Sequence, residues 1–285
     1  MTSYRKKHIK GKIHNIKPRK SIFKRPWFWI VFLCLAIVLS ALYFFLFYDG
    51  VQVKNVIIYG NRQVPSRNIE TLVYNLANNK ILKIGSLEVS TRSIFLVNSE
   101  KINKEILKDF IIIEKAEVSK IFSQTLEVSI SERTLVGIFC GADTQCYLID
   151  GNGIAFGQIK PEQLNSSYLI VRQVADNGQI YIGEKIVEKN VMGAILKVQK
   201  NLKDNFQISL TEALIASSSR LSVSTEEGWK VYFDLSADSD INSQLTKLNL
   251  LLSNEISVAN RKNLRYIDLR PKDRAIICDN KTCGG

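Results

Sequence analysis

The chain has two histidines, His8 and His14, and both lie within its first fourteen residues. Imidazole is the side chain that most readily moves a proton near neutral pH. A Ser-His-Asp triad, a Cys-His pair or a His-ligated metal therefore cannot be built from the bulk of the chain. Ser21-Ile-Phe-Lys24 matches the S-x-x-K string of Ser-Lys acyl enzymes, but none of the companion motifs follows, and it reads as chance. Gly151, Gly153 and Gly157 are spaced one residue too widely for a G-x-G-x-x-G phosphate loop. Asp150 and Asn152 resemble the start of a calcium loop whose remaining ligands are missing. Asp150-Gly-Asn-Gly153 reads instead as a hairpin turn. No paired carboxylate motif is recognisable, so no catalytic residue, cofactor or metal is assigned.

The five cysteines are the remaining reactive groups. Cys34 lies in an apolar run and reads as a small apolar residue. Cys140 and Cys146 flank one short segment, and Cys278 and Cys283 flank another. Four cysteines allow three disulfide pairings, of which the two adjacent ones are simplest. Free thiols and a zinc site made of all four cysteines are the alternatives, although the gaps within each pair exceed the usual zinc spacing.

The elements that must position these residues begin with the charge. The net charge of +12 suggests a nucleic-acid binder, but its distribution argues otherwise. Ten of the 39 basic residues and no acidic ones lie in residues 1–26, leaving 29 basic against 27 acidic for the rest. That tail has no apolar periodicity and is expected to be disordered. Residues 27–48 form a run of 22 without a charge. As a helix they span ~33 Å, enough for a hydrocarbon core of roughly 30 Å. Trp27 and Trp29 mark one interface, Tyr43 and Tyr48 the other. By the positive-inside rule the tail is cytoplasmic, against anionic lipid, and residues 49–285 lie across the membrane.

Beyond the span, Val51–Tyr59 reads as a strand that ends at a Gly60-Asn61 turn. Pro65-Ser66 opens a helix with Ser66 as its N-cap and Ile69, Leu72, Val73 and Leu76 on one face. A loop around Gly85 leads to a helix capped by Asn98 or Ser99. Strands 116–121 and 126–131 complete a β-α-α-β-β order. Strands are then expected at 135–140, 145–149, 154–156, 168–171, 179–182, 221–223, 229–233, 264–269 and 275–278. An amphipathic helix is expected over 187–202, and another over 241–252. The fold class is α+β: a membrane helix, a β-α-α-β-β domain over 49–131, a mainly antiparallel β domain with two helices over 132–278, and a tail over 279–285.

These strings resemble a POTRA domain, and more narrowly the exterior part of the bacterial division proteins of the FtsQ/DivIB family. The resemblance rests on Ile57-Ile58-Tyr59-Gly60-Asn61 with Val64-Pro65-Ser66, and on Lys120-Ile-Phe122 to Val128 followed by Ser131-Glu132-Arg133-Thr134. The Gly-Trp-Lys-Val-Tyr-Phe string at 228–233 and Tyr266–Arg270 are similar to the family's second domain. Ser123 and Leu135 stand where the family usually has proline, and Pro271 stands where its binding edge begins.

The resemblance implies a non-catalytic, single-pass membrane scaffold at the division septum. Its implied partners are membrane proteins of the FtsB/DivIC and FtsL type, with no nucleic acid and no small-molecule substrate. The implied partner-binding residues are Tyr266, Ile267, Asp268, Leu269, Arg270, Ala275, Ile276 and Ile277. Open sheet edges give the physical motive, because their unpaired N–H and C=O groups capture another strand. Ordinary internal sheet is the competing reading of this stretch. Two other functions remain for the whole chain: a membrane-anchored POTRA protein acting in export or chaperoning, and a membrane-anchored hydrolase.

Overall fold

A computed structural model describes residues 25–84, 86–141, 145–164, 168–174, 178–280 and 283. His8, His14, the Ser21–Lys24 string and nearly all of the basic tail lie outside the described residues, as does most of the 279–285 tail. The chain forms two compact units. The first holds the residues up to Asn55 with Leu76–Val97 and Lys120–Thr125; the second holds Val56–Asn75, Asn98–Ser119 and the residues from Leu126 onward.

In the first unit, helix α1 covers Pro26–Phe47, and none of its residues is buried. That exposure distinguishes it from the core helix of a soluble protein, and it fits a single-pass membrane anchor. Proline in its first turn suits a position where the missing N–H is not needed. The chain leaves α1 through a 3-10 turn at Asp49–Val51, so the strand expected from Val51 starts later. Where a loop around Gly85 was expected, strands β2 (Asn79–Ile84) and β3 (Leu87–Thr91) form an antiparallel hairpin.

The second unit holds most of β1 (Asn55–Tyr59), α2 (Ser66–Ala77), β4 (Ile113–Ile121) and β5 (Thr125–Glu132), and the whole of α3 (Ser99–Asp109). Three strands make a sheet in the order β1-β5-β4. Ile69 and Val73 are buried, which matches the apolar face read for α2, and Ile102, Ile106, Ile113, Leu126 and Val128 are buried with them. Ser66 lies inside α2 rather than ahead of it, and its hydroxyl accepts from Asn61 Nδ2 at 2.8 Å. Asn98 caps α3 by accepting from the Lys101 N–H at 3.0 Å. Gly60 has a φ of +85°, and a Cβ there would fall 2.0 Å from the Ile130 carbonyl oxygen. Glycine is required by that close approach.

Glu132 and Arg133 explain the string that ends β5. The Glu132 carboxylate accepts from the N–H groups of Arg62, Gln63 and Val64 at 2.8–3.0 Å, which anchors the loop between β1 and α2. Burial alone would raise its pKa, but the donors from Val64, Arg62 and Gln63 prevail and hold it below the ordinary value. Arg133 donates through Nε to the Ile111 carbonyl at 2.8 Å and through Nη1 to Asp150 at 2.5 Å. The Asp150 carboxylate also accepts from the N–H groups of Asn152 and Ile154, both at 2.9 Å. The hairpin turn there is thus built on a buried ion pair, not on a calcium loop.

The rest of the unit is one nine-stranded sheet. Its strands are β6 (Gly137–Cys140), β7 (Cys146–Ile149), β8 (Ala155–Ile159), β9 (Ile170–Gln173), β10 (Leu210–Ser217), β11 (Arg220–Thr225), β12 (Lys230–Asp234), β13 (Leu264–Asp268) and β14 (Ile276–Asp279). They run in the order β14-β13-β12-β11-β10-β9-β6-β7-β8. Five neighbouring pairs are antiparallel, while β6–β9, β9–β10 and β12–β13 are parallel. Helices α4 (Lys189–Phe206) and α5 (Ile241–Leu250) share one core with Trp229, Val231, Phe233, Ile267 and Leu269. A π-helical turn at Leu251–Glu255 and the short α6 (Val258–Arg261) follow α5. Ile138, Cys140 and Cys146 form a smaller cluster apart from this core. Phe139 joins the main core while its neighbours join the smaller cluster, so β6 is buried at all four positions.

Two strand assignments change. Residues 179–182 are not a strand, because Gly183, at φ +99°, turns the chain and donates to the Ala155 carbonyl at 2.7 Å. Conversely, β10 is an interior strand that its Thr, Glu and Ala residues do not announce. Removing the Glu132 acceptor by Glu132→Ala should cost about 1 kcal/mol of stability in urea unfolding, and Glu132→Gln less. Since its pKa is lowered on folding, this contribution is present above the ordinary value of 4.5 and is lost as pH falls through the folded value. The wild-type and Ala curves should converge in acid.

Candidate partner-binding edge

The stretch 264–279 forms the last two strands and their connection. β13 pairs with β12 in parallel on one side, Tyr266 standing opposite Lys230 and Asp268 opposite Tyr232. On the other side it pairs antiparallel with β14, with Tyr266 opposite Cys278, Ile267 opposite Ile277 and Asp268 opposite Ile276. Tyr266, Ile267 and Asp268 therefore lie in an interior strand whose backbone is already engaged. Leu269 and Arg270 begin the connection, and Ala275 packs partly against the core. Among the described residues β14 ends the sheet, so the open edge belongs to Ile276 and Ile277 and not to Tyr266–Arg270.

The connection is held from three sides. Arg270 donates to Asp268 through Nε at 2.8 Å and through Nη2 at 2.6 Å, and its guanidinium lies 5.3 Å from the centre of the Tyr232 ring. The bond to Arg270 lowers the Asp268 pKa against the opposing effect of burial. The Tyr232 and Tyr266 rings meet edge-to-face at 5.4 Å. From α5, Lys247 Nζ donates to the carbonyls of Pro271 at 2.8 Å, Lys272 at 3.3 Å and Leu269 at 3.4 Å. Pro271 lies between the strands, where its missing N–H breaks no ladder bond, so it shapes the connection without entering the edge.

Ile276 is 42% exposed, while Ile277 packs against the core and Cys278 is buried. The chain then turns back, with Arg265 donating to Asn280 at 3.0 Å. Cys278 is bonded to Cys283, and Cys140 to Cys146 across the β6–β7 register. At the opposite end of the sheet, segment 183–185 covers the start of β8: the Ala155 N–H donates to the Glu184 carbonyl at 2.9 Å, and Ile154 bridges Lys185. A cavity of about 340 Å³ lies beside β14, lined by Ile256, Asn260, Leu264, Ile277 and Asp279 among others.

The family model of the POTRA domain, FtsQ-type, matches residues 74–133. The chain carries an FtsQ-type POTRA domain. The match runs from within α2 to Arg133 and covers about a fifth of the sequence. It contains α3, β4, β5 and the Glu132-Arg133 junction, and it is consistent with the FtsQ/DivIB family. A search of curated proteins found no match. The apolar α1 fits a single-pass membrane anchor by its length and composition.

The Asp268–Arg270 pair should be measurable by itself. Asp268→Asn should lower stability by about 1 kcal/mol at neutral pH, a modest figure because Arg270 is substantially exposed. The Asp268 pKa is lowered on folding, so the pair stabilises above the ordinary 3.8 and the effect fades as pH falls through the folded value. Chemical unfolding of both proteins across acid pH should show the difference closing.

Proposed function

We propose that this chain is a non-catalytic, single-pass membrane scaffold of the bacterial division machinery. The observation that carries the reading is the FtsQ-type POTRA domain in a chain with one anchoring helix. The basic tail faces the cytoplasm, and the domains of residues 49–131 and 132–278 lie outside it, at the septum. The β domain captures a strand of a partner of the FtsB/DivIC type, itself associated with an FtsL-type protein. The open backbone of β14 supports this reading, since strand addition uses main-chain hydrogen bonds at an unpaired edge. The POTRA domain serves recruitment.

Depleting the protein should give filamentous, undivided cells, and a fluorescent fusion should gather at mid-cell. Uniform membrane staining with normal division would overturn the reading. Crosslinking distinguishes it from an export or chaperoning role, in which unfolded secreted clients would be recovered instead of short coiled-coil membrane proteins. A charge at the edge, Ile276→Asp, should weaken partner co-purification about tenfold or more, equivalent to ~1.4 kcal/mol. Unchanged co-purification would remove β14 as the docking edge.

A further inference from the structure

The residues around the exit of α1 form an apolar ridge remote in sequence from β14. Phe95 follows β3, and Phe122 lies in the turn between β4 and β5. Phe45 of α1 meets Phe95 edge-to-face with ring centroids 5.1 Å apart, and Phe95 lies 6.2 Å from Phe122. Phe122 is 74% exposed and Phe95 48%, with Leu96 and Ile121 exposed beside them. A contiguous group of large apolar side chains in water marks an interaction surface.

The hydrogen bonds at the end of α1 decide what covers this ridge. Ser93 Oγ donates to the Phe45 carbonyl at 2.6 Å, Thr91 Oγ1 donates to the Leu46 carbonyl, and Gln52 Nε2 donates to the same carbonyl at 2.8 Å. The Ile94 N–H donates to the Val51 carbonyl at 2.9 Å, and the Val53 N–H to the Arg92 carbonyl at 3.0 Å. The turn after β4 is tied in the same way, Gln124 Nε2 donating to the Asp49 carbonyl at 2.8 Å. The loop after β3 is therefore fastened to the last turn of α1, and the turn after β4 to the 3-10 turn that follows it. Phe45 is two residues from the helix end, ~3 Å along the axis, in a helix as long as the hydrocarbon is thick. With α1 across a bilayer, the ridge would continue its exposed apolar surface near the level where acyl chains meet headgroups. Arg92 and Lys120 are exposed on the same segments, with stems long enough to reach headgroup phosphates.

We propose that Phe95, Leu96, Ile121 and Phe122 enter the interfacial layer of the bilayer that α1 crosses. The first unit then meets lipid through this ridge as well as through α1. The proposal rests on α1 as a membrane span and is independent of the partner edge.

The test places a tryptophan on the ridge of the full chain, Phe122→Trp in one protein and Leu96→Trp in another, each in lipid nanodiscs. Val258→Trp, at an exposed site on α6, gives the solvent reference. The emission added over wild type should be blue-shifted and lost to lipids brominated on their acyl chains, yet resist aqueous iodide. Added emission at both ridge sites that is quenched by iodide and indifferent to brominated lipid would overturn the proposal. Shielding from iodide that arises only when a partner chain is co-reconstituted would overturn it too, in favour of a protein-docking face. Quenching of the native Trp27 and Trp29 by brominated lipid reports insertion of α1 separately, so failure of the span and failure of the ridge give different results.

Discussion

The second unit is organised by the need to bury α4 and α5 against one sheet. Parallel neighbours cannot be joined by a tight turn, so each parallel step between consecutive strands requires a crossover. The chain leaves β9, runs through α4 and returns parallel in β10; it leaves β12, runs through α5 to α6 and returns parallel in β13. Both crossovers set their apolar stripes into the core that contains Trp229. Each buried side chain of Leu or Ile size contributes ~1.5–3 kcal/mol, so this shared core outweighs any single polar contact in the unit. Once the crossovers are placed, β14 can only return antiparallel beside β13. No further described strand follows it, and the edge is left open.

The polar contacts around that edge have a narrower task. Lys247 gathers three carbonyls of the connection, and Arg270 closes on Asp268, so the entry into β14 is held at its start. The Cys278–Cys283 bond closes the chain at its end. A short strand held at both ends keeps its backbone direction. The other end of the sheet contrasts with it: segment 183–185 occupies the start of β8, so the two edges of one sheet are not equivalent. Natural sheets commonly cover one edge in this way to prevent unwanted pairing.

Much of this was legible in the sequence because it depends on local patterns. The uncharged run of residues 27–48, the apolar faces of α2, α3 and α4, and the alternation in β5 are all visible in a window of a few turns. The resemblance to FtsQ/DivIB rested on such strings, and the domain match falls on Glu132 and Arg133 among them. The misses were not local. β10 carries no strong strand pattern, because its place between β9 and β11 supplies the hydrogen bonds. Residues 179–182 look like a strand, but their neighbour Gly183 bonds to β8 through a turn. The β2–β3 hairpin lies where the residues around Gly85 carry only a loop signal.

By itself the sequence determined that the chain holds one uncharged run long enough to cross a membrane, an α+β fold after it and almost no imidazole, because these follow from composition and short-range periodicity. The candidate residues Tyr266–Arg270 and Ala275–Ile277 came from the resemblance to FtsQ/DivIB. Only the tertiary structure decided which part of that stretch is open. Pairing depends on which strands become neighbours, and that is set by the crossovers through α4 and α5. Tyr266–Asp268 thereby became interior, and Ile276 and Ile277 became the edge.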